Sequence, residues 1–452
     1  MLKIKTWLEN IIKPSAVKHF HLDYPNEKNG IKYYNEGFLI QGWVLFPPLL
    51  YAKLKSRPFL TLKINESLER LIPLDRNRPD VVQTYFPKAS AERHPQIQCG
   101  FRFVLPLTST LFPLYVCLDD QRELVAQILV PTTDNDVSEY KSSKPKVLFG
   151  SEGWLFLDND TNFSVDQHCG RLALSASGLQ SWDKYIHHWQ QVFQPWGRSA
   201  IFLIAPTKES ILSQYHPYPE ATKSFLNSLI EKMPPEMYLY PVNELKSLGE
   251  KAYYKTDTHW THQGAKQATL QLAHRLMLDQ QQVGSLFQLD EYRSRQHIGD
   301  LGNKLNPPQS HAADFLIGQS YKKWVVFDNA LPNFGRVIAM EYEQAMVDKI
   351  CLVFGSSSSY SMFSYLSRLF SKVVFVHSAG SIDLDFLKAI NPDYLVAQTN
   401  ARFMVKAPHF QFNVKKEARE KLKVLTMQQS KQLTVIQGET PLAVRLRTYL
   451  TA

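Results

Sequence analysis

Thiol chemistry has little to work with in this chain. Its 452 residues include four cysteines, Cys99, Cys117, Cys169 and Cys351, and no two form a CxxC pair. Neither a zinc ribbon nor a thioredoxin-type centre is supported, and buried free thiols are the expectation. No HExxH motif is present to build a zincin site. Long apolar runs are also missing. The longest, GFLIQGWVLFPPLLYAKL, is interrupted by Gln41, Gly42 and the pair Pro47-Pro48, so it cannot span a bilayer. The opening stretch MLKIKTWLENIIKPSAVKHF lacks the apolar core and small-residue cleavage site of a secretory leader, and residues 1–30 are read as an N-terminal amphipathic segment. Their apolar positions Leu2, Ile4, Trp7, Leu8, Ile11 and Ile12 instead suit an amphipathic helix, able to pack on its own domain or lie on a membrane surface. The expected location is the cytoplasm, at most peripheral to the inner membrane. No internal repeat occurs.

With 44% hydrophobic and 21% charged residues the chain has the profile of a folded protein, and its length calls for more than one core. The net charge of +9 favours anionic partners such as an acidic glycan or a nucleotide-bearing donor. Nucleic acid is excluded as the expected partner, because no aromatic RNA-binding signature or helix-turn-helix pattern is present.

Between residues 31 and 135 short strand-like runs alternate with Pro, Asn, Asp and Gly, as in GFLIQGWVLF, FLTLKIN and GFRFVLPL. They predict a β-sandwich accessory domain, structural or glycan-binding. Arg78, Pro79 and Asp80 are expected to shape a loop within it. Residues 136–146 read as a linker. From 147 to 410 the pattern changes to compact apolar runs, among them KVLFG, SAIFLIAP, KICLVFG, KVVFVH and PDYLVAQ, alternating with helical segments. That alternation predicts an α/β domain with a parallel sheet and helices on both faces. Residues 411–452 form a C-terminal extension.

Two short stretches carry candidate chemistry. In KICLVFGSSSSYSMF a buried strand runs into a Gly-Ser turn and then a helix, which lifts a serine to the C-terminal edge of the sheet. Gly355 permits the turn, and Ser357 or its neighbours Ser356 and Ser358 present a hydroxyl; simple helix capping explains the same run. In YYKTDTHWTHQGA, Asp257 and His259 on one extended segment would point to the same side, with Trp260 walling off the site. A serine nucleophile needs an imidazole base, and the imidazole needs a carboxylate to fix its tautomer. A metal site on Asp257, His259 and His262 is the rival reading, but no second cluster completes its coordination sphere.

Taken in order, these stretches resemble the alginate O-acetyltransferase family, the SGNH-hydrolase-like domains of AlgJ/AlgX type. VLFGSEGWLFL is similar to the family's opening motif, IFLIAPTKESIL to its strand ending in Pro-x-Lys, TDTHWTHQGA to its Asp-x-His-Trp motif and HIGDLGNKL to its Gly-Asp-Leu loop. LVFGSSSSYSMF takes the place of its Gly-Asp-Ser block, with Ser356 where the family has Asp, and Ala401-Arg402 stands where it has Glu-Arg. The resemblance implies a flavodoxin-type SGNH fold, a triad of Asp257, His259 and Ser357, and substrate contacts from Trp260, His262, Lys208, Tyr360 and Arg402. It further implies an O-acetyltransferase acting through acyl-serine on a bacterial surface polysaccharide. No cofactor is bound in this reading; acetyl-CoA is the expected donor, and a glycan-assembly complex a possible partner. The alternatives are a carbohydrate acetylesterase with the same triad and a non-catalytic glycan-binding or assembly protein.

Overall fold

The computed structural model describes residues 16–26, 28–34, 37–105, 111–129, 146–426, 429 and 433–451. The expected helix over residues 1–15 and the linker over 136–145 lie outside them. The chain divides into two compact units, residues 1–145 with 171–179, and residues 146–170 with 180–452.

In the first unit two antiparallel sheets share one apolar core. One sheet runs through His19–Tyr24, Gly37–Leu45, Gln98–Leu105 and Arg76–Asn77, the other through Leu172–Leu174, Leu68–Pro73, Phe59–Lys63, Leu111–Leu118 and Gln121–Leu129. Phe38, Ile40 and Val44 of the first meet Leu60, Leu62, Leu114 and Val116 of the second. The i, i+2 spacing of these residues places them on one face of each strand. Three sequence expectations change here. Residues 19–24 form a strand rather than part of a helix. Residues 171–179, assigned above to the α/β domain, supply an edge strand to this unit. Pro79 begins the helix Pro79–Tyr85 instead of shaping a loop, because its fixed φ and missing N–H suit a first helical position. Arg78 just before it pairs with both Asp23 and Asp80.

The second unit is built on an eight-stranded sheet, whose strands are labelled in chain order: β1 Ala200–Ala205, β2 Tyr238–Leu239, β3 Val325–Asp328, β4 Val337–Glu341, β5 Val347–Gly355, β6 Phe370–His377, β7 Tyr394–Asn400 and β8 Ile436–Gln437. Their spatial order is β2-β1-β7-β5-β6-β4-β3-β8. The run from β2 to β6 is parallel, whereas β4, β3 and β8 join antiparallel. The sheet is therefore mixed, not parallel throughout. All six residues of β1 are buried, as expected for a strand covered on both faces. Two further assignments are corrected. KVLFG forms a two-stranded antiparallel ribbon, Val147–Phe149 with Leu155–Leu157, outside the main sheet. The segment 411–452 is no appendage, since β8 completes the sheet edge against β3. No helix among the described residues is long and apolar enough to cross a membrane.

Helix His262–Arg275 fixes the chain immediately after DTHW. Thr261 caps it by accepting the Gly264 N–H, a contact worth about 1 kcal/mol. Ala265, Ala268, Thr269, Leu272 and Ala273 recur at i, i+3 and i+4, so a stripe of mostly small side chains faces the core. On the other side of the site, β5 ends at Gly355 and the chain enters a 3-10 turn, Ser357–Met362, followed by helix Phe363–Leu369.

A candidate acyl-transfer site at the sheet edge

Asp257 and His259 do not lie on a strand. They occupy a turn between Tyr253 and Trp260, which form an isolated bridge, so strand alternation is not what brings their side chains together. The cause is local. Asp257 Oδ1 accepts the backbone N–H of His259 at 2.9 Å and its Nδ1–H at 2.6 Å. The other face of the ring system is fixed as well, with His259 Nε2 2.8 Å from Ser357 Oγ. The network assigns the tautomer: a proton on Nδ1 leaves Nε2 free to accept from serine.

Asp257 Oδ2 is also occupied. It accepts from His297 Nε2 at 3.1 Å and from the Asp300 N–H at 3.2 Å. Burial would raise this carboxyl, but the hydrogen bonds from His259 and His297 outweigh it and hold the group well below the usual carboxylate range. Asp300 in turn takes the N–H and hydroxyl of Thr258 at 2.7 and 2.6 Å. The loop carrying Asp300 approaches so closely that Gly299, at φ 70°, could not bear a Cβ; it would meet the Thr256 carbonyl oxygen.

Asp257, His259 and Asp300 each bring one ligand atom within 4.8 Å of the others, the arrangement a cation would need. Their facing atoms already serve as acceptors for protein hydrogens or face the serine, which accounts for the cluster without an ion. His262 is not part of it. Its ring packs against Phe315, its Nδ1 is buried with no partner among the described residues, and burial lowers its pKa to about 4.

The four-serine run is resolved by burial. Ser356 is 1% exposed and bonded to Gln398; Ser358 is 6% exposed, and its carbonyl accepts from Trp260 Nε1 at 2.9 Å. Only the Ser357 hydroxyl faces His259. Gln398 Oε1 organises the turn by accepting the Ser356 N–H at 2.8 Å and the hydroxyls of Ser356 and Ser359 at 2.9 and 2.8 Å. Gly355 is required beside it, because a Cβ there would strike Ser359 Oγ.

The five residues expected to contact substrate separate into two groups. Trp260 lies under the serine turn and is buried, so it supports the turn and has no ring face free for a ligand. Lys208 is buried with Nζ against the carbonyls of Tyr254 at 3.1 Å and Asp257 at 2.6 Å; it braces the turn that carries the carboxylate. Its removal from water lowers its pKa to about 8. His262, as described, points into packed surroundings. Tyr360 and Arg402 are half-buried, Tyr360 with its hydroxyl 3.2 Å from His377 Nδ1, Arg402 at the wall of a cavity beyond β7. The sequence reading missed His297, Asp300 and Gln398. His297 sits three residues before Asp300 in HIGDLGNKL, a stretch noted only as a loop resemblance.

Two buried imidazoles and a half-buried one give the domain an acid-sensitive stability. His216, His262 and His377 are each lowered by burial from 6.5 to about 4. The unfolded chain binds more protons between those values, so the stability contributed by keeping them neutral is complete above 6.5 and is lost as pH falls toward 4. Thermal melts from pH 7 to 4.5 should show a falling midpoint, and a flatter profile in His377→Gln. A midpoint independent of pH over that window would refute this.

Residues 147–319 match the family model for the SGNH hydrolase-like domain of acetyltransferase AlgX. The matched segment includes Asp257, His259, His297 and Asp300 and stops before Ser357. No curated protein matches the chain. Similar solved structures include Bacillus cereus PatB1, 13% identical over 58% of this chain and 97% of that one, with TM-score 0.44. The O-acetyltransferase domain of Pseudomonas putida AlgJ is 17% identical over 62% of this chain and all of that one (100%), with TM-score 0.37. Pseudomonas aeruginosa AlgX is 13% identical over 58% and 63%, with TM-score 0.33. The similarity to the SGNH hydrolase-like domain of acetyltransferase AlgX thus spans residues 147–319, less than half of the 452-residue chain.

Proposed function

We propose that this chain is an O-acetyltransferase that moves an acetyl group through Ser357 onto a hydroxyl of a bacterial surface polysaccharide. The observation that carries the reading is the continuous hydrogen-bonded line from Asp257 Oδ1 through His259 to Ser357 Oγ, at 2.6 and 2.8 Å. The match of residues 147–319 to the family model of acetyltransferase AlgX supports acetyl transfer as the chemistry.

In this mechanism Ser357 Oγ attacks the acetyl carbonyl while its proton passes to His259 Nε2. Asp257 stabilises the imidazolium, and its low pKa keeps it ionised throughout. The N–H of Ser357 and a second loop amide donate to the oxyanion. The leaving group departs with the proton from His259, leaving acetyl-Ser357. A sugar hydroxyl then attacks the ester, gives its proton to His259, and restores Ser357 as the acetylated sugar leaves. The donor is an activated acetyl thioester, acetyl-CoA in the simplest case, which the +9 charge of the chain suits.

The test is intact-protein mass after brief exposure to an activated acetyl ester. One acetyl adduct should appear on the wild type and none on Ser357→Ala. Equal adducts on both proteins would remove Ser357 from the mechanism. Transfer to an added oligosaccharide, against release of acetate to water, separates the transferase from an esterase with the same residues.

A further inference from the structure

At the C-terminal edge of the sheet, beyond the ends of β2, β1 and β7, lies a cavity of about 230 Å³. Tyr240 follows β2, Thr207 and Glu209 follow β1, and Arg402 follows β7, so each strand delivers a polar residue to the same space. This edge is where open α/β sheets bind ligands.

Two interior groups are unusual. Glu209 is 7% exposed, and burial raises its carboxyl above the ordinary range although Arg402 and Lys208 lie nearby. The Nε–H of Arg402 is buried and has no acceptor among the described residues. A buried donor left unsatisfied is costly, so an arrangement that keeps one near an acidic group is a poor structural element and a good receptor. At the rim the exposed Glu220 and Lys246 again balance. The cavity therefore carries both a strong donor and a strong acceptor with no excess of either charge.

That combination selects a class of ligand. A sugar hydroxyl both donates and accepts, so adjacent hydroxyls of one ring can satisfy Glu209 and Arg402 together. A carboxylate or phosphate would meet Arg402 but face Glu209 and Glu220. The volume falls below the usual range of about 300–1,000 Å³ for drug-sized ligands, which admits a single ring rather than a nucleotide. A small recess of about 10 Å³ adjoins the cavity. It shares Thr207, Glu209 and Arg402 with the cavity and is bounded also by Thr258, the residue between Asp257 and His259. Ser357 and His259 themselves do not line the cavity.

We propose that this cavity is a subsite for one neutral monosaccharide unit, with Glu209 accepting and Arg402 Nε–H donating hydrogen bonds to its hydroxyls. As an acceptor subsite it rests on the acetyl-transfer reading above; as a sugar site it stands on the cavity alone. Saturation-transfer NMR on the full chain should show binding of the methyl glycosides of glucose, galactose or N-acetylglucosamine and none of methyl glucuronide. Ser357→Ala should bind as the wild type does. Glu209→Gln should weaken binding at least about tenfold, the loss of one hydrogen bond to a charged group. Asn227→Trp, which closes the exposed rim without touching the buried pair, should abolish it even if Glu209→Gln does not fold. Absence of binding by every neutral glycoside, tighter binding of the glucuronide, or unchanged binding in both variants would overturn the proposal. An acetyl adduct on Ser357 without sugar binding sinks this subsite alone, whereas sugar binding without an adduct sinks the transferase reading and leaves the subsite standing.

Discussion

Asp257→Asn is expected to reduce acetyl-ester turnover about 10⁴-fold in a protein that remains folded. The carboxylate accepts four hydrogens in this structure, from the backbone and ring of His259 on one oxygen, and from His297 and the Asp300 N–H on the other. An amide has one oxygen, so its NH₂ must face donors on one side. If it faces His259, the imidazole can satisfy it only by moving its proton to Nε2. That proton then points at Ser357 Oγ, and the base can no longer accept from the nucleophile. If it faces His297 and Asp300, two buried contacts on the other loop are opposed instead, and the turn shifts. Either outcome disables the relay, the first by tautomer and the second by position. Single-turnover acylation followed by mass measures the effect directly. Turnover within tenfold of the wild type would show that Asp257 is structural and that His259 works without it.

Gln398→Leu is expected to cost about 2–4 kcal/mol of stability and to lower activity with it. The substitution keeps the size of the side chain but removes Oε1, on which the Ser356 N–H, the Ser356 hydroxyl and the Ser359 hydroxyl converge. The hydroxyls can rotate toward other acceptors. The backbone N–H cannot, and Ser356 is buried, so water does not substitute there. Gln398 Nε2 also leaves the Thr399 carbonyl, a contact of 2.7 Å. Because Ser357 is the residue between these anchored neighbours, loosening them displaces the proposed nucleophile, and small misplacements of a reacting atom can cost about 10²-fold. Urea unfolding should show a lower midpoint with an unchanged slope, the signature of altered stability rather than altered compactness. A midpoint shift worth under about 0.5 kcal/mol would mean that the turn holds itself through capping alone.

This role of Gln398 bears on the departure noted in the sequence, where Ser356 replaces the acidic residue of the resembled Gly-Asp-Ser block. The serine keeps a capping role there, its hydroxyl accepting the Ser358 N–H at 3.4 Å, while the amide oxygen of Gln398 from the neighbouring strand accepts the hydroxyls of Ser356 and Ser359.

Much of the site was legible from local sequence, for a physical reason. Asp257 and His259 meet through a contact two residues long, and Thr261 caps the helix that follows; neither depends on the rest of the chain. The strand, Gly355 and the serine turn are likewise local, as is the alternation of apolar runs with helical segments that announces a mixed α/β domain. Tertiary structure decided everything that turns on direction and burial. It sent the Ser357 hydroxyl, and not those of Ser356 or Ser358, toward an imidazole 98 positions away. It placed His297, separated by 40 positions, on the second oxygen of Asp257, and Gln398, separated by 42, under the serine turn. It also buried Trp260 and Lys208, whose residue types suggest ligand contact but whose polar atoms are taken by backbone carbonyls. Residue type and spacing set which hydrogen bonds are available within a few positions of chain. Which of the more distant donors and acceptors reach one another is set by how the sheet orders its strands, and no local pattern encodes that order.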